Sequence, residues 1–143
     1  MRPFTPPLAR SRWLLATGAA LGFVAVACGA FGAHALRDWF LSLPDGDARQ
    51  AWWQTASQYQ MWHALVVVVA GLWQRDDSAP RAVFWAGAAA VAGIVLFSGS
   101  LYAMALSGVR ALGAVTPLGG VFFLGAWSCL LWAGLRSHGR ARP

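Results

Sequence analysis

The chain reads as an all-α membrane protein: a bundle of four transmembrane helices with both termini in the cytoplasm. Three observations predict this. First, its charged residues occur only in five short stretches. The windows between them, Trp13–Leu36, Gln50–Gln74, Ala82–Val109 and Ala111–Leu135, run for 24, 25, 28 and 25 residues without Asp, Glu, Lys or Arg. A helix crosses the hydrocarbon core of a bilayer with about 20 mostly apolar residues. Second, 58% hydrophobic against 11% charged residues in 143 leaves too little polar surface to cover four apolar helices in water. Third, the arginines are lopsided. If the helices alternate in direction, Arg2, Arg10, Arg12, Arg75, Arg81, Arg136, Arg140 and Arg142 share one side, and only Arg37, Arg49 and Arg110 lie on the other. Basic residues concentrate on the cytoplasmic side, which fixes the orientation. The tryptophans agree, with Trp13, Trp73, Trp85 and Trp132 near the inner interface and Trp39, Trp52 and Trp53 near the outer one.

The expected organisation is a disordered cytoplasmic tail over 1–12, one membrane domain over 13–135 with spans near 13–36, 50–74, 82–106 and 116–135, and a basic cytoplasmic tail over 136–143. The formal charge of +6 and the pI near 11.1 do not indicate nucleic acid, because the arginines flank the spans and build no basic face. All eleven basic residues are Arg, which reflects composition bias.

In the first span, Gly18, Gly22, Ala25, Gly29 and Ala33 recur at three- and four-residue spacing, a stripe that lets a neighbouring helix approach closely. The span opens with Arg10-Ser-Arg12 and ends in Ala33-His34-Ala35, the outline of a signal peptide. Its uncharged stretch is too long for one, so it is expected to be retained. Cys28 lacks the leucine-type residue of a lipoprotein site three positions earlier. Cys28 and Cys129 fall at opposite depths, which argues against a disulfide or a metal pair.

The second span is polar in its first half. Its continuous apolar part, Met61–Trp73, is 13 residues long, so the helix must begin earlier, with Asp45 or Asp47 as its N-cap. Tyr59, Gln60 and His63 then fall within about 100° of one another, with Thr55 one turn outward, while Gln54 and Gln58 point the opposite way. In the third span Gly87, Ala90 and Gly93 serve packing, and Ser98 and Tyr102 share a face, with Ser100 close by. The fourth opens with Thr116-Pro117, an N-cap and first-turn proline, followed by the packing residues Gly119, Gly120 and Gly125. The polar residues His34, Thr55, Tyr59, Gln60, His63, Ser98, Ser100, Tyr102 and Thr116 are therefore expected to gather in the outer half of the bundle. His63 is expected to face the interior and bond a polar group on another helix, with Ser98, Tyr102 and the outer end of the first span as candidates.

Four blocks carry a resemblance: Gly29-Ala-Phe-Gly-Ala-His34-Ala-Leu, Thr55-Ala-Ser-Gln-Tyr59-Gln-Met-Trp-His63-Ala-Leu, Leu96-Phe-Ser-Gly-Ser-Leu-Tyr102 and Val115-Thr-Pro-Leu-Gly-Gly120. In this order the chain resembles the YgdD-like family, domain of unknown function family 423, which includes transmembrane protein 256. The resemblance implies a small integral membrane protein with no established activity. The family pattern often places a charged residue before the tyrosine; here Gln58 stands there, and no ion pair carries over.

Chemistry-bearing patterns are sparse. His34 and His63 would differ in depth by about 15 Å, too much for facing haem ligands, and neither has a cysteine or carboxylate at ligand spacing. Ser98 or Ser100 with His63 could pair a nucleophile with a base, but no Asp or Glu lies within a span to orient it, and no nucleophile-elbow motif occurs. Neither an enzyme nor a bound cofactor is expected. Thr116 with Gly119, Gly120 and Arg110 could receive an anion, against the simpler reading of a cap with close packing. The leading expectation is a non-enzymatic component of a bacterial inner membrane. Its partners are the lipid bilayer and either other membrane proteins or further copies of itself. The alternative is small-solute or lipid binding and transport through the outer polar cluster. With no inverted repeat or unwound mid-span motif, a complete transport path through one copy is not expected.

Overall fold

The computed structural model describes residues 7–137. These residues are helical throughout, with short connections and no strand among them. Helix α1 spans Pro7–Ala33. Proline is well placed at a helix start, where its missing N–H costs no hydrogen bond. Residues 7–12, expected in the tail, therefore belong to the helix, and Ser11 is buried with its hydroxyl donating to the Gly71 carbonyl oxygen at 2.8 Å. The rest of the expected N-terminal tail, 1–6, and most of the C-terminal one, 138–143, lie outside the described residues.

A short helix α2, Arg37–Leu41, occupies what the sequence reads as loop. It exists because Phe40 is fully buried against Trp53, with ring centroids 6.0 Å apart. Helix α3 runs Gly46–Trp73, 28 residues or about 42 Å. Asp45 precedes it but makes no side-chain cap; its carboxylate instead accepts from Arg49 Nε at 2.7 Å. That guanidinium lowers the Asp45 pKa below the usual carboxylate value. Arg49 Nη1 also donates to the carbonyls of Ala105 and Leu106 at 3.2 and 3.3 Å, placing a cation over the end of another helix.

The third long helix is α4, Arg81–Gly93, continued without a break through a π-helical segment, Ile94–Ser98, into α5, Gly99–Ser107. It ends at Gly108, whose φ of 74° is the left-handed terminus that glycine adopts without steric cost. A 3₁₀ turn, Arg110–Ala114, leads into α6, Thr116–Ser137. Among the described residues three stretches are long and apolar enough to cross a membrane: Ala9–Ala33, Arg81–Ser107 and Arg110–Arg136. Helix α3 matches them in length, but its polar first half keeps it out of that class.

Main contacts place the helices in a row: α1 against α3, α3 against α4 and α5, and α4 against α6. Three hydrogen bonds hold the antiparallel α1–α3 seam. Ser11 reaches Gly71, Gln60 Nε2 donates to the Leu21 carbonyl at 2.9 Å, and Trp53 Nε1 donates to the Cys28 carbonyl at 2.7 Å. Small residues let the seam close. A Cβ added to Gly18 would lie 2.8 Å from Val68 Cγ2, whereas at Gly22 and Gly29 the nearest atoms are at 3.9 and 4.0 Å. Gly18 is thus the tightest of the predicted stripe. The main core buries residues of α1, α3, α4 and α6 together: Leu14, Val67, Ala70, Val83, Ala90, Ala126 and Ala133.

Candidate functional site

The polar residues singled out in the sequence do not form one cluster. His34 is exposed at the end of α1, and Thr55 is half-buried. Gln60 turns to α1. Ser100 and Thr116 hydroxyls meet at 2.8 Å and tie α5 to the start of α6. Thr116 is the first residue of α6 rather than the residue before it, and its hydroxyl is engaged between helices. Ser98 Oγ and the Tyr102 hydroxyl are buried without a hydrogen-bond partner among the described residues. Tyr102 lies beside Cys28, whose sulfur is a weak acceptor at best, and packs edge-on against Trp53 at 4.7 Å.

Tyr59 and His63 go a third way, toward α6. The expectation that His63 faces the interior is met, since it is only 5% exposed. Its partner is not the one expected: Nδ1 bonds the Tyr59 carbonyl of its own helix at 2.8 Å, and the ring stacks flat on Phe123 of α6, 3.4 Å between centroids and 12° between planes. A carbonyl only accepts, so Nδ1 carries the proton, and in the neutral ring Nε2 is an acceptor. The stack continues through Tyr59 on Phe97, with centroids 4.6 Å apart.

These rings border a groove of about 550 Å³ between α3, the π segment and α6. Six of its ten lining residues are aromatic: Tyr59, Trp62, His63, Phe97, Phe123 and Trp127. The backbones of α3 and α6 stay apart, and the rings bridge the gap. The groove opens sideways, past the exposed faces of Trp62, Leu124 and Trp127. Its depth follows from helix geometry. His63 lies ten residues from the end of α3 and Phe97 ten residues from the end of α5, so both sit ~15 Å from a helix end.

Two neighbouring glycines build the groove in different ways. Gly119 packs against the Phe97 backbone in the π segment, and a side chain there would collide with it. Gly120 lines the groove itself, and a Cβ there would meet nothing within 4 Å. Gly93 packs against the ring of Phe123, behind the groove lining. Gly93 and Gly119 have close packing neighbours as expected, whereas Gly120 and Gly125 have none within 4 Å. Among the described residues no three of His, Cys, Asp and Glu come together in a group that could hold a metal.

The family described as a protein of unknown function, DUF423, matches residues 28–120, from the acceptor of the Trp53 bond to the glycine of the groove. A "UPF0382 membrane protein" of Staphylococcus epidermidis is 45% identical over 122 residues, 85% of this chain and 94% of that one. The "UPF0382 inner membrane protein YgdD" of Escherichia coli is 42% identical over 127 residues, 88% of this chain and 92% of that one. A "UPF0382 membrane protein" of Staphylococcus haemolyticus is 40% identical over 114 residues, covering 80% and 88%. No solved structure matches. With the match covering more than half of the chain and relatives aligned nearly end to end, the chain belongs to the DUF423 family of membrane proteins of unknown function.

Proposed function

We propose that this protein is a non-enzymatic component of the bacterial inner membrane that assembles laterally with other membrane constituents. In this reading α3 also crosses the membrane, making four spans, the membrane domain covers about 13–135, and both chain ends face the cytoplasm. The observation that carries it is the row of helices. Over their most apolar windows α1 and α6 bury only 17% and 22% of their residues, against 39% for α4–α5, so each presents a broad apolar face to its surroundings. Large apolar patches in a protein of this size mark contact with lipid or with partners. The name of the Escherichia coli relative supports the inner membrane, and the eight-to-three arginine division supports the orientation. Transport through the outer polar cluster has less support, because Gln60, Ser100 and Thr116 are engaged between helices and do not line a common cavity.

Two experiments test the proposal. A photo-crosslinking residue placed at Phe23 of α1 or Leu131 of α6, 77% and 66% exposed, is expected to yield discrete protein adducts in native membranes. Adducts with lipid alone at both positions would remove the assembly role. A periplasmic reporter is expected to be active when fused at Ser42 and silent after Arg142; the reverse would overturn the orientation.

A further inference from the structure

We propose that the groove between α3 and α6 binds a membrane-dissolved hydroquinone, an aromatic diol on an apolar tail, with His63 Nε2 accepting a hydrogen bond from one of its hydroxyls. Four observations carry this. The groove opens sideways onto apolar surface, so its ligand arrives from the bilayer. Its walls are mostly flat rings, and Tyr59, Phe97, His63 and Phe123 already stack on one another, which suits a further planar ring. His63 is 5% exposed, and Nδ1 is held by the Tyr59 carbonyl. Nε2 therefore remains a polar atom without a partner among the described residues, on a ring that lines the groove. An unpaired acceptor inside an apolar site selects a ligand that brings a donor.

Depth narrows the ligand class. A phospholipid keeps its head group at the interface, ~15 Å away, and could offer only an acyl chain at the level of His63. An alkyl- or isoprenyl-substituted hydroquinone can carry its hydroxyls to mid-membrane. The oxidised quinone has carbonyls only and cannot donate to Nε2, so the reduced form is preferred. The Tyr59 hydroxyl can donate or accept and does not discriminate between the two. The proposal concerns binding and includes no redox step.

The test is native mass spectrometry of the full chain released from detergent micelles, which counts bound molecules directly. The probes are decyl-hydroquinone kept reduced with ascorbate, the corresponding quinone, and the dimethyl ether of the hydroquinone. The hydroquinone is expected to bind about tenfold more tightly than the other two, the difference one hydrogen bond can make. His63→Phe keeps a stacked ring and removes Nε2, and should lower hydroquinone binding to that of the ether. Gly120→Leu fills the groove from a position with no packing neighbour and should abolish binding of all three. Gly125→Leu also meets nothing within 4 Å but is not part of the groove lining, and should leave binding intact. Equal binding of the three compounds to the unaltered chain would overturn the proposal, leaving an apolar lipid groove, and this comparison decides even if His63→Phe does not fold. Absence of any adduct would also overturn it. So would a dimer mass that Gly120→Leu removes, since a second copy would then occupy the groove.

Discussion

Toward α1, helix α3 meets small residues and exchanges side-chain-to-carbonyl hydrogen bonds along its length, so the two backbones close on each other. Toward α6 it presents Tyr59 and His63, and the backbones stay apart with rings between them. Gln60 and His63, three residues apart, show the difference at its sharpest. Gln60 reaches across to the Leu21 carbonyl, which the small residues of α1 bring within 2.9 Å. His63 faces Phe123, which offers no polar group, and it turns back to its own helix at Tyr59. A polar side chain in a membrane-type bundle thus seals a seam only where the opposing helix lets its backbone come near. Where a ring stands opposite, the same helix leaves an open groove and an unused acceptor.

Crowding the seam is the most damaging way to break this contrast. Gly18→Leu would force atoms into Val68 Cγ2 and into the Val68 backbone nitrogen at 2.9 Å. Overpacking of this kind costs about 1–3 kcal/mol or more, and because backbone is among the atoms struck the upper end is expected. Unfolding in mixed micelles of increasing dodecyl sulfate fraction would measure it; a stability equal to the unaltered chain would show that the seam is loose. Gln60→Leu removes the middle bond of the same seam, with an expected loss of about 0.6–2 kcal/mol in the same titration. A smaller effect is expected where α5 meets α6. A double-mutant cycle of Ser100→Ala and Thr116→Val should give a coupling of about 0.6 kcal/mol, the usual size for an interhelical hydroxyl bond in a membrane protein. Zero coupling would mean the two hydroxyls do not act as a pair.

The least effect is expected at the ion pair at the start of α3. Arg49 holds the Asp45 pKa below the ordinary aspartate value, so the pair contributes stability above that value and loses it as pH falls through the depressed folded pKa. Asp45→Asn should flatten this acid-side dependence and leave the neutral-pH unfolding midpoint nearly unchanged, as surface ion pairs generally do. A steep midpoint shift at neutral pH would contradict it.

Much of the helical order is legible in the sequence because charge-free windows report length and solvent directly. The early start of the second long helix follows from the shortness of Met61–Trp73. Helix rotation about its own axis is not legible, and it decides the site. Tyr59, Gln60 and His63 share a broad face, yet the spacing alone does not say that Gln60 borders α1 while His63 borders α6. The π segment is invisible for a related reason. It widens one turn over Ile94–Ser98 and rotates the residues after it relative to those before. Gly119 and Gly120 look alike in sequence, but adjacent residues on a helix point about 100° apart, and only one can face the same neighbour. Arg49 over the carbonyls of α5 could have been anticipated in part, since Gly108 marks that helix end.

That pair of glycines gives the most direct test of the contrast between closed packing and open groove. Gly119→Leu and Gly120→Leu should be unfolded side by side in the same mixed micelles. Gly119→Leu is expected to lose about 1–3 kcal/mol or more because its side chain meets the Phe97 backbone, while Gly120→Leu, with nothing within 4 Å, stays within about 0.5 kcal/mol of the unaltered chain. Equal losses at the two positions would contradict the open groove.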